Sequence, residues 1–171
     1  PARKKSTEKM TYKTIRFILQ GTLPSKKNQR PIYTNKFYLM KKAFKMASAK
    51  GATNYMVKNL KAYLVDSQKY SDWEKEAIKT IHEQARFWAD KWDIIYPINK
   101  CTIKVHFYYK GNQARDLTNK LDSVQDMLVD AKILSDDSWQ VVNRITADAE
   151  WYEGILKEDI CEIAITIPTK R

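Results

Sequence analysis

The sequence predicts an α+β domain: a small mixed β-sheet with packed helices and a helical insertion between the first two strands. Three observations predict it. Apolar residues alternate at period two near residues 15–19, 101–109, 141–151 and 161–167. Between these runs the period becomes three to four, as on one face of a helix. The 171 residues are 43% hydrophobic and 12% aromatic, enough for one sizeable core and a single domain over 1–171.

Residues 1–11 are polar and basic and read as a mobile arm. Ile15, Phe17 and Leu19 then alternate with Arg16 and Ile18, which predicts the first strand. Gly21 and Pro24 end it, and residues 25–30 form a basic loop. From about 35 to 98 lies the helical insertion. Met56, Leu60 and Leu64 step by four. Trp73, Ala77, Ile81, Ala85, Trp88 and Trp92 continue as a helical stripe that reads as core. Ser71 with Glu74 forms a capping-box pattern for the second helix of a pair, and Pro97 closes the segment.

Cys101, Ile103, Val105, Phe107 and Tyr109 face one way in the next strand, with Thr102, Lys104, His106 and Tyr108 opposite. Leu117, Leu121, Val124, Leu128 and Ala131 predict an amphipathic helix. Val141, Ile145, Ala147, Ala149 and Trp151 share one parity of a further strand. Cys161, Ile163, Ile165 and Ile167 give the last, ended by Pro168.

Charge divides the chain. Lys and Arg number 31 against 20 acids, a net +11. Residues 1–60 carry 15 bases and one acid, Glu8, whereas residues 61–171 are net −3. A basic half favours a polyanionic partner, nucleic acid before an acidic membrane surface. The apolar runs are too short for a membrane span, and Lys4 and Lys5 are not followed by a secretion-signal core. Cys101 and Cys161 form no CxxC and read as buried free thiols, which predicts a reducing, cytoplasmic setting. His106 faces out of its strand and has no catalytic partner nearby in sequence.

Against the basic background stands an acidic island. Residues 116–137 hold six aspartates and no glutamate: Asp116, Asp122, Asp126, Asp130, Asp136 and Asp137. Asp122, Asp126 and Asp130 lie at i, i+4, i+8, one stripe of the helix away from its apolar face. The plain reading is a solvated face, with Asp116 as cap and Asp136-Asp137 as turn formers. Aspartate is a poorer helix former than glutamate, however, and the acids bracket the helix at both ends. That arrangement allows a hard-metal site where the helix N-terminal region approaches the following loop.

The run Arg115-Asp116-Leu117-Thr118-Asn119, the helix with Asp126-Met127-Leu128, and Ser135-Asp136-Asp137-Ser138-Trp139-Gln140-Val141 resemble the RusA-like Holliday junction resolvases of bacteria and their phages. Gly21…Pro24-Ser25-Lys26-Lys27-Asn28 is similar to that family's first loop. The likeness spans about 12–30 and 101–167. It implies a RusA-like fold and a homodimeric, Mg²⁺-dependent endonuclease (Mn²⁺ substituting) that nicks branched DNA such as four-way junctions. It also implies 5′-phosphate and 3′-hydroxyl products. Asp116 and Asp137 would take metal-binding roles.

Thr118 departs from the family, standing where better-known members have an aspartate, and Asp122 stands where they have a lysine. Asp122 lies one turn from Thr118, so an alternative ligand set of Asp116, Asp122 and Asp137 is expected. Asp126 then either supports a ligand from behind or is a structural acid, and Asp136 either joins the metal set or shapes the loop. Lys26, Lys27 and Arg30 are candidate phosphate contacts, and Asn28 either holds its loop or touches DNA. Lys41, Lys42, Lys45 and Lys50 either extend a basic track or are simply solvated. Arg115 either contacts DNA or pairs with a site carboxylate. Lys120 reads as a flanking lysine that snorkels to solvent, and Trp139 either stacks on a splayed base or is an apolar support beneath the acidic loop. The rival reading is a non-catalytic protein that binds branched DNA, with Thr118 marking a lost site.

Overall fold

The computed structural model describes residues 11–24 and 68–169. Residues 1–10 of the basic arm, the 25–30 loop with Lys26, Lys27, Asn28 and Arg30, the lysines at 41–50 and the first helix of the predicted pair lie outside them, while Thr11, expected in the arm, pairs with Thr169 in the first strand.

The elements run β1 (Thr11–Gln20), α1 (Gln68–Trp92), β2 (Cys101–Tyr109), α2 (Leu117–Asp130), β3 (Val142–Trp151) and β4 (Ile160–Thr169). The predicted α+β class holds, with a helix between the first two strands. One mixed sheet has the order β1-β4-β2-β3. β4 is antiparallel to both β1 and β2, while β2 and β3 are parallel. A parallel pair needs a crossover, and α2 supplies it.

The period-two residues meet in register. Ile15 lies opposite Ile165, and Ile165 opposite Ile103. Phe17, Val105, Phe107 and Ile163 extend this buried face. Val124, Met127 and Leu128 of α2, and Ala77, Ile81 and Ala85 of α1, join the same core, with Trp73, Trp88 and Trp92 packed at its margin. Cys101 and Cys161 are buried free thiols, and burial pushes them up to about 11 and about 12 respectively, far from thiolate formation.

Several boundaries differ from the sequence reading. α1 is already helical at Gln68, so Ser71 lies within the first turn and does not cap it. It ends at Trp92, ahead of Pro97, because Asp93 takes a left-handed φ of 52°. β4 runs through Pro168, which pairs with Tyr12. That is tolerated because β2 pairs with β4 only as far as Thr166, leaving the side of Pro168 away from β1 without a ladder partner.

The two sheet edges are treated differently. On β1, Gln84 of α1 reaches over the edge: the Ile18 N–H donates to Gln84 Oε1 and Gln84 Nε2 donates to the Ile18 carbonyl, both at 2.8 Å. Trp88 Nε1 donates to the Arg16 carbonyl at 2.7 Å. Side chains thus occupy the groups a further strand would use. β3 has no strand partner on its far side among the described residues. Its inward parity is only partly covered: Ile145 and Ala147 are half-buried, while Ala149 and Trp151 are exposed.

Candidate nucleic-acid interface and acidic helix

α2 begins where Asp116 stops the chain from being helical. Its φ of −77° and ψ of 105° are extended, and its side chain caps the helix. The Asn119 N–H donates to Asp116 Oδ1 at 3.0 Å, and Asn119 Nδ2 donates to Oδ2 at 2.5 Å. Both carboxylate oxygens therefore have a partner within the Asp-Leu-Thr-Asn run. A carboxylate here is also favoured by the positive end of the helix dipole.

Along α2, Asp122 and Asp126 are half-buried and Asp130 is exposed. The chain leaves the helix through Ala131 and folds back on its C-terminal end, where Ile133 and Leu134 N–H groups reach the Leu128 carbonyl. Ser135 N–H then bonds the Ile98 carbonyl, and the Ser138 carbonyl accepts from Val141 and Val142 as β3 begins. Asp136 and Asp137 are exposed in this turn. Asp136 shapes it: hydrogen bonds from Ser138 and from the Asp137 N–H, the latter at 2.9 Å, hold its carboxyl below the usual range.

The loop with Asp137 thus meets the C-terminal end of α2, whereas Asp116 caps the N-terminal end. The expectation that the loop approaches the helix N-terminal region is not met within one chain. Fourteen residues of helix separate the two, about 21 Å of rise. Carboxylate oxygens are the right donors for a hard divalent cation. Even so, among the described residues no three His, Cys, Asp or Glu side chains stand close enough to hold one. Asp116 and Asp122, six positions apart on one helix, are not joined by Asp137. The single chain does not fit the metal set that the resemblance implies.

Arg115 has a carboxylate partner from outside the 116–137 acidic island. It pairs with Asp159, from the loop before β4, and lays its guanidinium over the Tyr109 ring at 4.2 Å. Asp159 also accepts the Lys110 N–H at 3.1 Å. Burial alone would raise this carboxyl, but the hydrogen bonds from Arg115 and Lys110 lower it overall.

Around this pair lies a cationic cavity of about 420 Å³, lined by Thr22, Lys110, Gly111, Gln113, Arg115 and Lys120. It sits beside the helix N-terminus that Asp116 caps. Lys120 does not simply snorkel away. Burial first, and then the Arg115 and Lys69 charges, lower its pKa. A half-buried ammonium held beside a guanidinium is the environment that an anionic ligand relieves. Sequence reading missed Lys110 and Lys120 as site residues. Their one visible signal was their position flanking the Arg115-Asp116 run.

His106 has partners that sequence distance concealed. Its Nδ1 lies 2.5 Å from Asp148 Oδ1, and Lys104 lies 3.2 Å from the same carboxylate. Trp139 is 77% exposed, so it supports nothing beneath the acidic loop. No helix among the described residues is long and apolar enough to cross a membrane. Neither protein-family models nor curated proteins give a match to the chain.

Proposed function

We propose that this chain binds branched DNA through phosphate contacts and hydrolyses its phosphodiester bonds as a homodimeric, Mg²⁺-dependent endonuclease. The observation that carries the reading is the cationic cavity of Lys110, Arg115 and Lys120 beside the Asp116-capped start of α2. Phosphate oxygens need clustered, partly desolvated donors, and scissile chemistry needs acids close to them. Both occur at one end of this sheet. The +14 of residues 1–60 adds a sequence-independent attraction to the DNA backbone.

One observation favours the rival, a non-catalytic binder of branched DNA. Asn119 already occupies both Asp116 oxygens, as a purely capping acid would require.

A synthetic four-way junction separates the two readings. Incubated with Mg²⁺, wild-type protein should nick it, and Asp116→Asn and Asp122→Asn should not. Salt-sensitive binding with an intact junction under every condition would leave only the binder. Full activity in Asp122→Asn would remove that residue from the ligand set. Stronger cleavage of fork or flap substrates in the same assay would reassign the preferred DNA structure.

A further inference from the structure

We propose that the cavity between the second half of α1 and the turn after α2 binds a small hydrophobic carboxylate, a single aryl or branched-alkyl group carrying one acid. The site lies at the C-terminal end of α2, a helix length from the cationic cavity at the start of α2. It does not depend on the nuclease reading.

The cavity measures about 340 Å³, at the small end of ligand pockets. Its floor is apolar. Ala85 and Ala89 of α1 line it together with Ile133 of the turn and Tyr96. The Tyr96 hydroxyl is itself buried, and burial pushes it up to about 12, so the phenol stays neutral. A nucleobase has polar edges that this floor would leave unpaired, whereas a hydrocarbon group needs no partner. Removing that group from water supplies attraction.

The rim is cationic. Arg86 and Lys132 line the cavity as exposed side chains. Neither makes an ion pair among the described residues. No Asp or Glu among the described residues lines the cavity. A guanidinium takes a planar carboxylate in a bidentate fork, and the Lys132 ammonium adds a second positive charge.

Two features of the turn fit an anion here. Lys132 follows Ala131, the C-cap of α2, with a left-handed φ of 56°. Glycine is the usual residue at that position because a Cβ is strained there. A lysine bears that cost, and a charge used at the cavity offsets it. His82 donates from Nε2 to the Ala131 carbonyl at 2.8 Å. A carbonyl at the negative end of α2 is thereby covered, so it opposes an incoming acid less.

Such a carboxylate has two sources, a free acid or the C-terminal residue of another protein. Chemical shifts of the isotope-labelled chain, followed during titration, separate them. The probes are hydrocinnamate, acetyl-Gly-Gly-Phe with a free C-terminus, the amide of that peptide, and deoxythymidine monophosphate. Both carboxylates should give saturable shifts at the Ala89 and Ile133 amides. The peptide amide should bind at least about tenfold more weakly than the free peptide. Tighter binding of the peptide than of hydrocinnamate assigns the site to a protein C-terminus, and the reverse assigns it to a free acid.

Three variants test the residues. Arg86→Met keeps the apolar stem and should weaken both carboxylates by about tenfold. Ala89→Leu should fill the cavity and abolish binding. Lys132→Gly removes the backbone strain and the charge together, so it should weaken binding without lowering the thermal midpoint. A lysine that serves only the fold would leave affinity unchanged. The site is overturned by no saturable shift with either carboxylate, by equal affinity for the peptide and its amide, or by tighter binding of the nucleotide. Unchanged carboxylate binding in both Arg86→Met and Lys132→Gly overturns it as well.

Discussion

Arg115 and Asp159, 44 positions apart in sequence, form a shielded ion pair that ties the start of α2 to the loop before β4. The side chains are 15% and 5% exposed, and Tyr109 lies beneath the guanidinium. Removing one partner leaves the other charge stranded. Asp159→Ala should destabilise the fold by about 3 kcal/mol in urea unfolding. A loss below about 1 kcal/mol would mean that water replaces the carboxylate at little cost.

The same pair sets an acid limit. The Asp159 carboxyl lies below its ordinary range when folded, so protonation favours the unfolded chain. Its contribution is complete above the unfolded value of about 4 and is lost as pH falls through the lower folded value. Unfolding free energy measured from pH 6 downward should fall below about pH 4 in the wild type. Asp159→Asn should start lower and show a shallower slope across that window.

Much of the fold was legible in the sequence because burial and periodicity are local. Ile15, Phe17 and Leu19 announce a half-buried strand wherever it pairs. Leu117 through Leu128 announces a helix face in the same way. The candidate site was less legible because it depends on which ends meet. Asp116 and Asp137 flank one helix in sequence, but the parallel pairing of β2 with β3 sends them to opposite ends of the sheet. The cationic cavity draws Thr22 from beyond β1, Lys110 from the end of β2 and Lys120 from α2, a convergence that no spacing in the chain encodes. The role of Arg115 was hidden because its carboxylate partner comes from another loop.

Lys120 should show opposite effects on stability and on binding. Its ammonium is half-buried beside Arg115, a cost that the free protein bears. Lys120→Met should raise the unfolding free energy by about 0.5–1 kcal/mol while weakening DNA binding. If Lys120 meets a phosphate, the slope of log affinity against log salt should become shallower by about 1. An unchanged slope would place Lys120 away from the DNA backbone.

Gln84 should matter more than its exposure suggests. Its amide makes both hydrogen bonds to Ile18 that close the β1 edge. Gln84→Ala should cost about 1–2 kcal/mol. It should also expose a second pairing edge, so light scattering should report species larger than the wild type at equal concentration. A variant that is destabilised yet unchanged in size would show that Trp88 closes the edge by itself.

Asp116 offers a clean separation of structure from chemistry. As the cap of α2 it needs only an oxygen acceptor for the Asn119 N–H, which asparagine supplies. Asp116→Asn should therefore keep helix content and thermal midpoint close to wild type, while Asp116→Ala should cost about 1 kcal/mol. If the carboxylate also serves phosphodiester hydrolysis, Asp116→Asn should abolish Mg²⁺-dependent nicking of a four-way junction while leaving junction binding intact. The charge that asparagine lacks is then what hydrolysis needs, since the cap is still made. Nicking at the wild-type rate in Asp116→Asn would reduce Asp116 to its capping role.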